Sequence, residues 1–241
     1  MPVRQNKNSK LFLIGGPYSY GEVPGVQAFG YSPQRTLQRR GINTFSGDGP
    51  VAITDNYEGV TGSFDVEGTD AEKAVMAYAS RQALDAFVSY HPSNNMPLYI
   101  VAKNYDDDGV TPIGCDFVDT AKLGTMQRGV QTGNAQFPFE ALNYKEVFDK
   151  EIIIQEFPGN ETPVTALTLS GTAAALKDKA GATYYALLVL KQTASSTAVK
   201  RLARADTAAA GKYSETTSAI TLHTSDGLTA TDKALVVWVK A

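Results

Sequence analysis

Apolar and polar residues alternate at every second position through most of the chain. From Val60 to Glu67, Val60, Gly62, Phe64 and Val66 fall on one face and Thr61, Ser63, Asp65 and Glu67 on the other. That is the signature of a half-buried strand. Similar runs predict strands at residues 26–31, 98–103, 113–118, 124–131 and 151–157. Five more are expected at 164–169, 184–190, 199–203, 219–223 and 235–239. The last alternates Leu235, Val237 and Val239 against Val236, Trp238 and Lys240. One helix interrupts the series. Thr69, Asp70, Ala71 and Glu72 form a capping box, and Val75, Met76, Ala79, Ala83, Leu84 and Phe87 then recur at spacings of three and four.

Two stretches break the pattern. Residues 39–59 carry Gly41, Gly47, Gly49, Pro50 and Gly59 and follow neither period, so they read as a loop of about twenty residues, a length usually functional or disordered. Residues 158–163, Pro-Gly-Asn-Glu-Thr-Pro, read as a linker. Beyond them the chain turns rich in Ala, Thr and Leu. The expected organisation is a β domain over 1–157, a linker at 158–163 and a smaller all-β accessory domain over 164–241, separable from the first.

Composition narrows the function. The 241 residues are 43% hydrophobic and 20% charged, which suits a folded chain with a real core. The net charge of −3 argues against a dedicated nucleic-acid binder. The charge is uneven: residues 41–160 hold eighteen acids against seven bases, whereas residues 1–40 hold six bases against one acid. The middle is an acidic segment between mildly basic flanks. Arg4, Lys7 and Lys10 precede Leu11-Phe12-Leu13-Ile14 in the manner of an export signal, but Gly15, Gly16 and Pro17 stop the apolar run short of the length required. A soluble chain not addressed for export is expected.

Candidate chemistry is sparse. The single cysteine, Cys115, alternates with Ile113 and Phe117 and reads as a small core residue. The two histidines, His91 and His223, lie far apart and in no catalytic context. Asp206 to Tyr213 resembles a phosphate-binding loop but lacks its opening glycine and its Ser/Thr. Asn104-Tyr105-Asp106-Asp107-Asp108-Gly109 matches the start of a calcium-binding loop, yet Cys115 stands where a bidentate Glu is needed. A hairpin turn at Asp108-Gly109 explains it better. No enzyme, no cofactor and no metal are expected.

The order of parts then carries a resemblance. A basic arm leads to the strand Gly25-Val26-Gln27-Ala28-Phe29-Gly30-Tyr31. The long Gly-rich loop, the strand Gly62-Ser63-Phe64-Asp65-Val66 and the capped helix follow, then a hairpin across residues 98–118. A strand through Lys122-Leu123-Gly124-Thr125-Met126-Gln127-Arg128-Gly129-Val130 and the segment Phe137-Pro138-Phe139-Glu140-Ala141-Leu142 close the series. Over about residues 10–157 this resembles the major tail tube proteins of tailed bacteriophages, relatives of the inner tubes of contractile bacteriocins and type VI secretion systems. The resemblance implies a mainly β fold, a β-sandwich or barrel with one helix, in which six copies close a ring and rings stack into a tube. It implies a virion tail assembled in the host bacterial cytoplasm, with tape measure, terminator and baseplate proteins as partners. A sheath joins them in contractile members. Genomic DNA is the cargo, and no membrane is involved. The further eighty or so residues would compete with a sheath for the tube's outer surface. The alternative is a capsid or baseplate decoration protein, or adhesin, built of two β domains.

A channel wall must not hold DNA, and carboxylates in a narrow lumen repel it. Asp65, Glu67, Thr125, Gln127 and Gln131 are therefore the candidate lumen-facing residues, with Arg128 turned away on the face of Met126 and Val130.

Overall fold

The computed structural model describes residues 9–15, 19–40, 52–76, 98–106, 108–128, 134–148, 150–169, 184–193, 199–216 and 219–240. Eight strands build the N-terminal part: β1 (Lys10–Gly15), β2 (Ser19–Val23), β3 (Val26–Arg40), β4 (Ala52–Glu67), β5 (Leu98–Tyr105), β6 (Pro112–Leu123), β7 (Gln127–Arg128) and β8 (Asn134–Phe148). They form one sheet in the order β2-β1-β5-β6-β8-β4-β3, with β7 paired to β8. β2 and β3 occupy opposite edges of this sheet, yet only Pro24 and Gly25 separate them. A link that short spans about 10 Å. The sheet must therefore roll until its two edges meet at that corner, although among the described residues no sheet closes into a barrel.

The inside of the roll is the first core. Leu11 and Leu13 from β1 and Ile100 from β5 pack with Val60, Phe64 and Val66 from β4 and Phe137 and Phe139 from β8. Phe64 stacks on Phe137 with ring centroids 5.5 Å apart. The helix, over residues 69–76, adds Ala71 and Val75 to this core. It starts one residue earlier than the capping box predicts: Glu72 N–H donates to Gly68 O at 3.1 Å, which makes Gly68 the cap. The rest of the expected helical stripe, Ala79 to Phe87, lies outside the described residues.

The two ends of the expected loop at 39–59 are strand. Arg39 and Arg40 end β3 and pair with Ile53 and Ala52 of β4, and residues 41–51 lie outside the described residues. Cross-strand pairing supplied what the local pattern lacked. The apolar run 11–14, too short for an export signal, is instead a strand covered on both faces.

Eight further strands follow: β9 (Ile152–Pro158), β10 (Ala166–Thr168), β11 (Tyr184–Gln192), β12 (Val199–Arg201), β13 (Ala203–Arg204), β14 (Lys212–Thr216), β15 (Ala219–Leu222) and β16 (Lys233–Lys240). They make two four-stranded sheets, β12-β11-β16-β9 and β10-β15-β14-β13, antiparallel except for the β13–β14 pair. β9 precedes the proline-rich segment in sequence, but it pairs along its length with β16, Ile152 opposite Val239 and Pro158 opposite Lys233. The segment itself is tied down: Gly159 N–H donates to Asp232 O at 2.9 Å, and Asn160 bridges to Thr229.

β16 explains the layering. Its residues Ala234 to Val239 are all buried, so it has no solvent face. Leu235, Val237 and Val239 point into a second core with Ile14, Tyr99, Val101, Cys115, Phe117 and Val147 of the rolled sheet. Ala234, Val236 and Trp238 point into a third core with Leu167, Tyr213, Ile220 and Leu222. Three layers result: the rolled sheet, the β9–β16 sheet and an outermost sheet. Each large side chain withdrawn from water contributes about 1.5–3 kcal/mol to holding them together.

Candidate assembly surfaces

Alternation along β4 and β8 gives the rolled sheet an outer wall opposite the first core. Register places Asp65 between Ala28 on β3 and Gln136 on β8, and Gln136 in turn faces Gln127 on β7. Glu67 sits opposite Asn134, and Thr61 opposite Glu140, which faces Lys122 on β6. Residues directly opposite share a face. Asp65, Glu67, Gln127, Gln136 and Glu140 thus lie on one polar wall. Gln27 Nε2 donates to Glu67 Oε2 at 2.9 Å, and Gln34 Nε2 donates to Thr61 Oγ1 at 2.8 Å. Asp65 is half-buried, and its Oδ1 is shielded from water without a hydrogen bond.

Of the sequence-predicted wall residues, Asp65, Glu67 and Gln127 come together. Thr125 is exposed but lies in the non-strand stretch 124–126; β7 begins at Gln127, and 129–131 of the expected strand lie outside the described residues. Gln131 lies outside the described residues. Arg128 pairs with Ala135, one position out of phase with Gln127.

The opposite outer wall, formed by β1, β5, β6 and the second half of β8, is apolar: Ile14, Tyr99, Val101, Cys115, Phe117 and Val147. Cys115 is buried there, as the alternation predicts, and burial pushes its thiol pKa up. Two register breaks separate the walls. At one, Thr120 takes a φ of 55° where the β5–β6 register shifts, from Leu98–Ala121 to Ile100–Val118. At the other, Gly59 has φ +118°, and a Cβ there would lie 2.8 Å from Ala141 O. A side chain is excluded twice over, by conformation and by space.

Gly59 is where β4 leaves β8. The last β4–β8 pair is Val60–Ala141, but β3 and β4 continue together from Arg35–Tyr57 to Arg40–Ala52. Among the described residues no third strand joins this ribbon. Among the described residues no strand pairs with the outer edge of β3, nor with that of β2 on the other side.

One side-chain bridge escaped the sequence reading. Tyr31 Oη lies 3.0 Å from Asp116 Oδ1 and 2.8 Å from Glu146 Oε1, linking β3 back to β6 and β8 across the mouth of the roll. Burial first, then the two carboxylates, raise the phenol pKa. Only the rolling of the sheet brings these strands together, and local pattern carries no trace of that.

The remaining motifs have structural roles. Asp108 accepts hydrogen bonds from Val110 N, Thr111 N and Thr111 Oγ1, at 2.8, 2.8 and 2.5 Å, and Gly109 takes φ +69°. This is the hairpin turn between β5 and β6. Those bonds hold the Asp108 carboxyl below its ordinary pKa. Gly211 N–H, in the phosphate-loop look-alike, donates to Asp226 Oδ2 at 2.6 Å. His223 caps a short 3-10 turn at Thr224–Asp226, and His91 lies outside the described residues.

No protein-family model matches the sequence, and no curated protein matches it. Among solved structures the chain is similar to the baseplate of the anti-feeding prophage, at 9% identity and a TM-score of 0.39, covering 61% of this chain and 97% of that one. It is similar to a sheath-tube complex of an extracellular contractile injection system, at 9% identity and a TM-score of 0.35, covering 61% and 92%. A third is the Dit protein of phage SPP1, from the adsorption apparatus of a phage infecting Gram-positive bacteria. There the identity is 10% and the TM-score 0.32, over 95% and 98% of the two chains.

Proposed function

We propose that this chain is a structural subunit of a phage tail or a related injection particle, and not an enzyme. In this reading it closes hexameric rings that stack into a tube, and the tube conducts DNA out of the particle. The observation that carries the proposal is the β3–β4 ribbon. A two-stranded ribbon alone is marginal in water, and an unpaired edge invites another chain. This one runs on past Gly59 with β3 unpaired on its outer side, among the described residues. Docking on a neighbouring copy gives it the missing support, and head-to-tail contacts that close by rotation give rings.

The polar wall supports the lumen assignment. Asp65, Glu67 and Glu140 share it with the uncharged amides of Gln127 and Gln136 and with Lys122, which stands opposite Glu140, so acids outnumber the base. Such a surface repels a duplex, which suits a conduit. Tape measure, terminator and baseplate proteins are the partners this reading implies. Negative-stain electron microscopy of the concentrated protein tests it. Rings or hollow filaments are expected; monomers at every concentration, even with a tail initiation complex added, would sink it.

A further inference from the structure

The apolar wall is closed by more than hydrophobic contact. Two cationic side chains cross its seam, one from each side. Arg201, on the edge strand β12, reaches the rolled sheet and holds Asp119 of β6 with both terminal nitrogens, at 2.7 and 2.9 Å. Its guanidinium also lies 5.8 Å from the ring centroid of Tyr99 on β5. In the other direction, Lys145 on β8 donates to Tyr185 Oη on β11 at 2.6 Å and stands 4.5 Å from that ring's centroid. Fork-on-carboxylate pairing fixes an angle as well as a distance. A cation over an aromatic face adds an electrostatic attraction to the ring.

From this geometry we infer that Arg201 and Lys145 are latches that keep the C-terminal layers shut over the apolar wall, so that no other protein can reach it. Under the tube reading, on which this part rests, the consequence is positional. The polar and apolar walls lie on opposite sides of the first core. A ring with the polar wall inward therefore carries the C-terminal layers outward. A sheath-like partner would then meet the outermost sheet, β10-β15-β14-β13, and never the tube wall itself.

Cys115 reports on the latch. It is the chain's only cysteine and is 2% exposed, within the core the latches enclose. In the intact full-length protein its reaction with a thiol reagent such as Ellman's reagent should be slow and limited by opening. Replacing both cations, Arg201→Ala with Lys145→Ala, should accelerate labelling about tenfold, with circular dichroism unchanged. If that variant fails to fold, Asp119→Asn, which keeps the shape and removes the charge, should accelerate it about threefold. Labelling of the intact protein at the rate of a free thiol would overturn the latch, and so would a folded double variant that labels no faster than the parent. These readings need no assembly, so they stand apart from the tube. Where tubes form, labelling of the outermost sheet through Thr168→Cys in a Cys115→Ser background should proceed in the assembled state. Protection there would overturn the outward placement alone.

Discussion

Strand β8 serves two walls with opposite fates. In its first half, Asn134, Gln136 and Glu140 stand on a polar wall that no other part of the described chain covers. In its second half, Lys145 and Val147 stand on an apolar wall sealed beneath a second sheet. Both halves share the first core on their other side, through Phe137 and Phe139 and then Tyr144. A single strand thus carries the partition between surface kept for water or partners and surface given up to the fold. The lesson is that the module boundary is a matter of faces as much as of sequence position. β9 lies before the proline-rich segment and yet completes the sheet after it.

The strongest way to break this contrast is truncation. A chain ending after Asn160 leaves β9 without β16 and bares the apolar wall. It should be insoluble or aggregate on purification, because an apolar face of that kind seeks any cover. A soluble, monodisperse fragment with native amide protection would restore the separability that the linker composition suggests.

Point substitutions sharpen the same contrast. Phe117, 4% exposed and stacked on Tyr99 at 6.2 Å, should cost about 3–5 kcal/mol when changed to Ala. Gln127→Ala on the open wall should change stability by less than about 0.5 kcal/mol. Urea unfolding of the two variants decides it, and equal losses would mean that the open wall also bears load.

A smaller effect concerns acid. Burial by itself would raise the Asp226 pKa, but hydrogen bonds from Lys200 Nζ and Gly211 N–H, with the charges of Lys200 and Lys191, bring it below the ordinary value. A carboxyl lowered on folding stabilises the fold fully above its unfolded value, about 4, and loses that contribution as pH falls through the folded value. Lys200 is about half exposed, so solvent screens part of the effect. As pH falls below about 4, the urea midpoint of Asp226→Asn should fall less steeply than that of the parent. Parallel curves would assign the acid sensitivity elsewhere.

The least effect on the fold is expected from Asp65→Asn with Glu67→Gln. Melting temperature should stay within about 2 °C. Particles carrying both changes should release DNA more slowly, since two repelling charges per subunit are gone. An unaltered ejection rate would argue that this wall does not line the channel.

Much of the strand inventory was legible because alternation is a local signal. Val60 to Glu67 kept the two faces that its pattern predicts, and Cys115 with Phe117 kept theirs. β8 was only partly visible. Pro138 interrupts it, and its phase shifts near Leu142, so no continuous period runs from Asn134 to Phe148. Pro138 is tolerated where β8 passes from β7 to β6, and its carbonyl accepts the Gly124 N–H at 2.7 Å. β14, Lys-Tyr-Ser-Glu-Thr, holds one buried apolar residue, Tyr213, and is too short to declare itself. β16 had a readable sign that alternation obscured: six apolar residues in a row leave no polar face, as expected of a strand between two cores. The polar wall was half legible. Alternation assigned the faces of β4, but which strands lie beside it is a property of the rolled sheet.

The pairing of Ile152 with Val239 also has a consequence in time. During synthesis β9 leaves the ribosome long before β16, and the strands that frame the apolar wall are complete earlier still. At a typical elongation rate of about 5–20 residues per second, the nascent chain carries that wall bare for several seconds. Chaperone occupancy should therefore peak after β8 emerges and fall sharply once β16 is free, giving the cell a late checkpoint on a protein whose first half already looks finished.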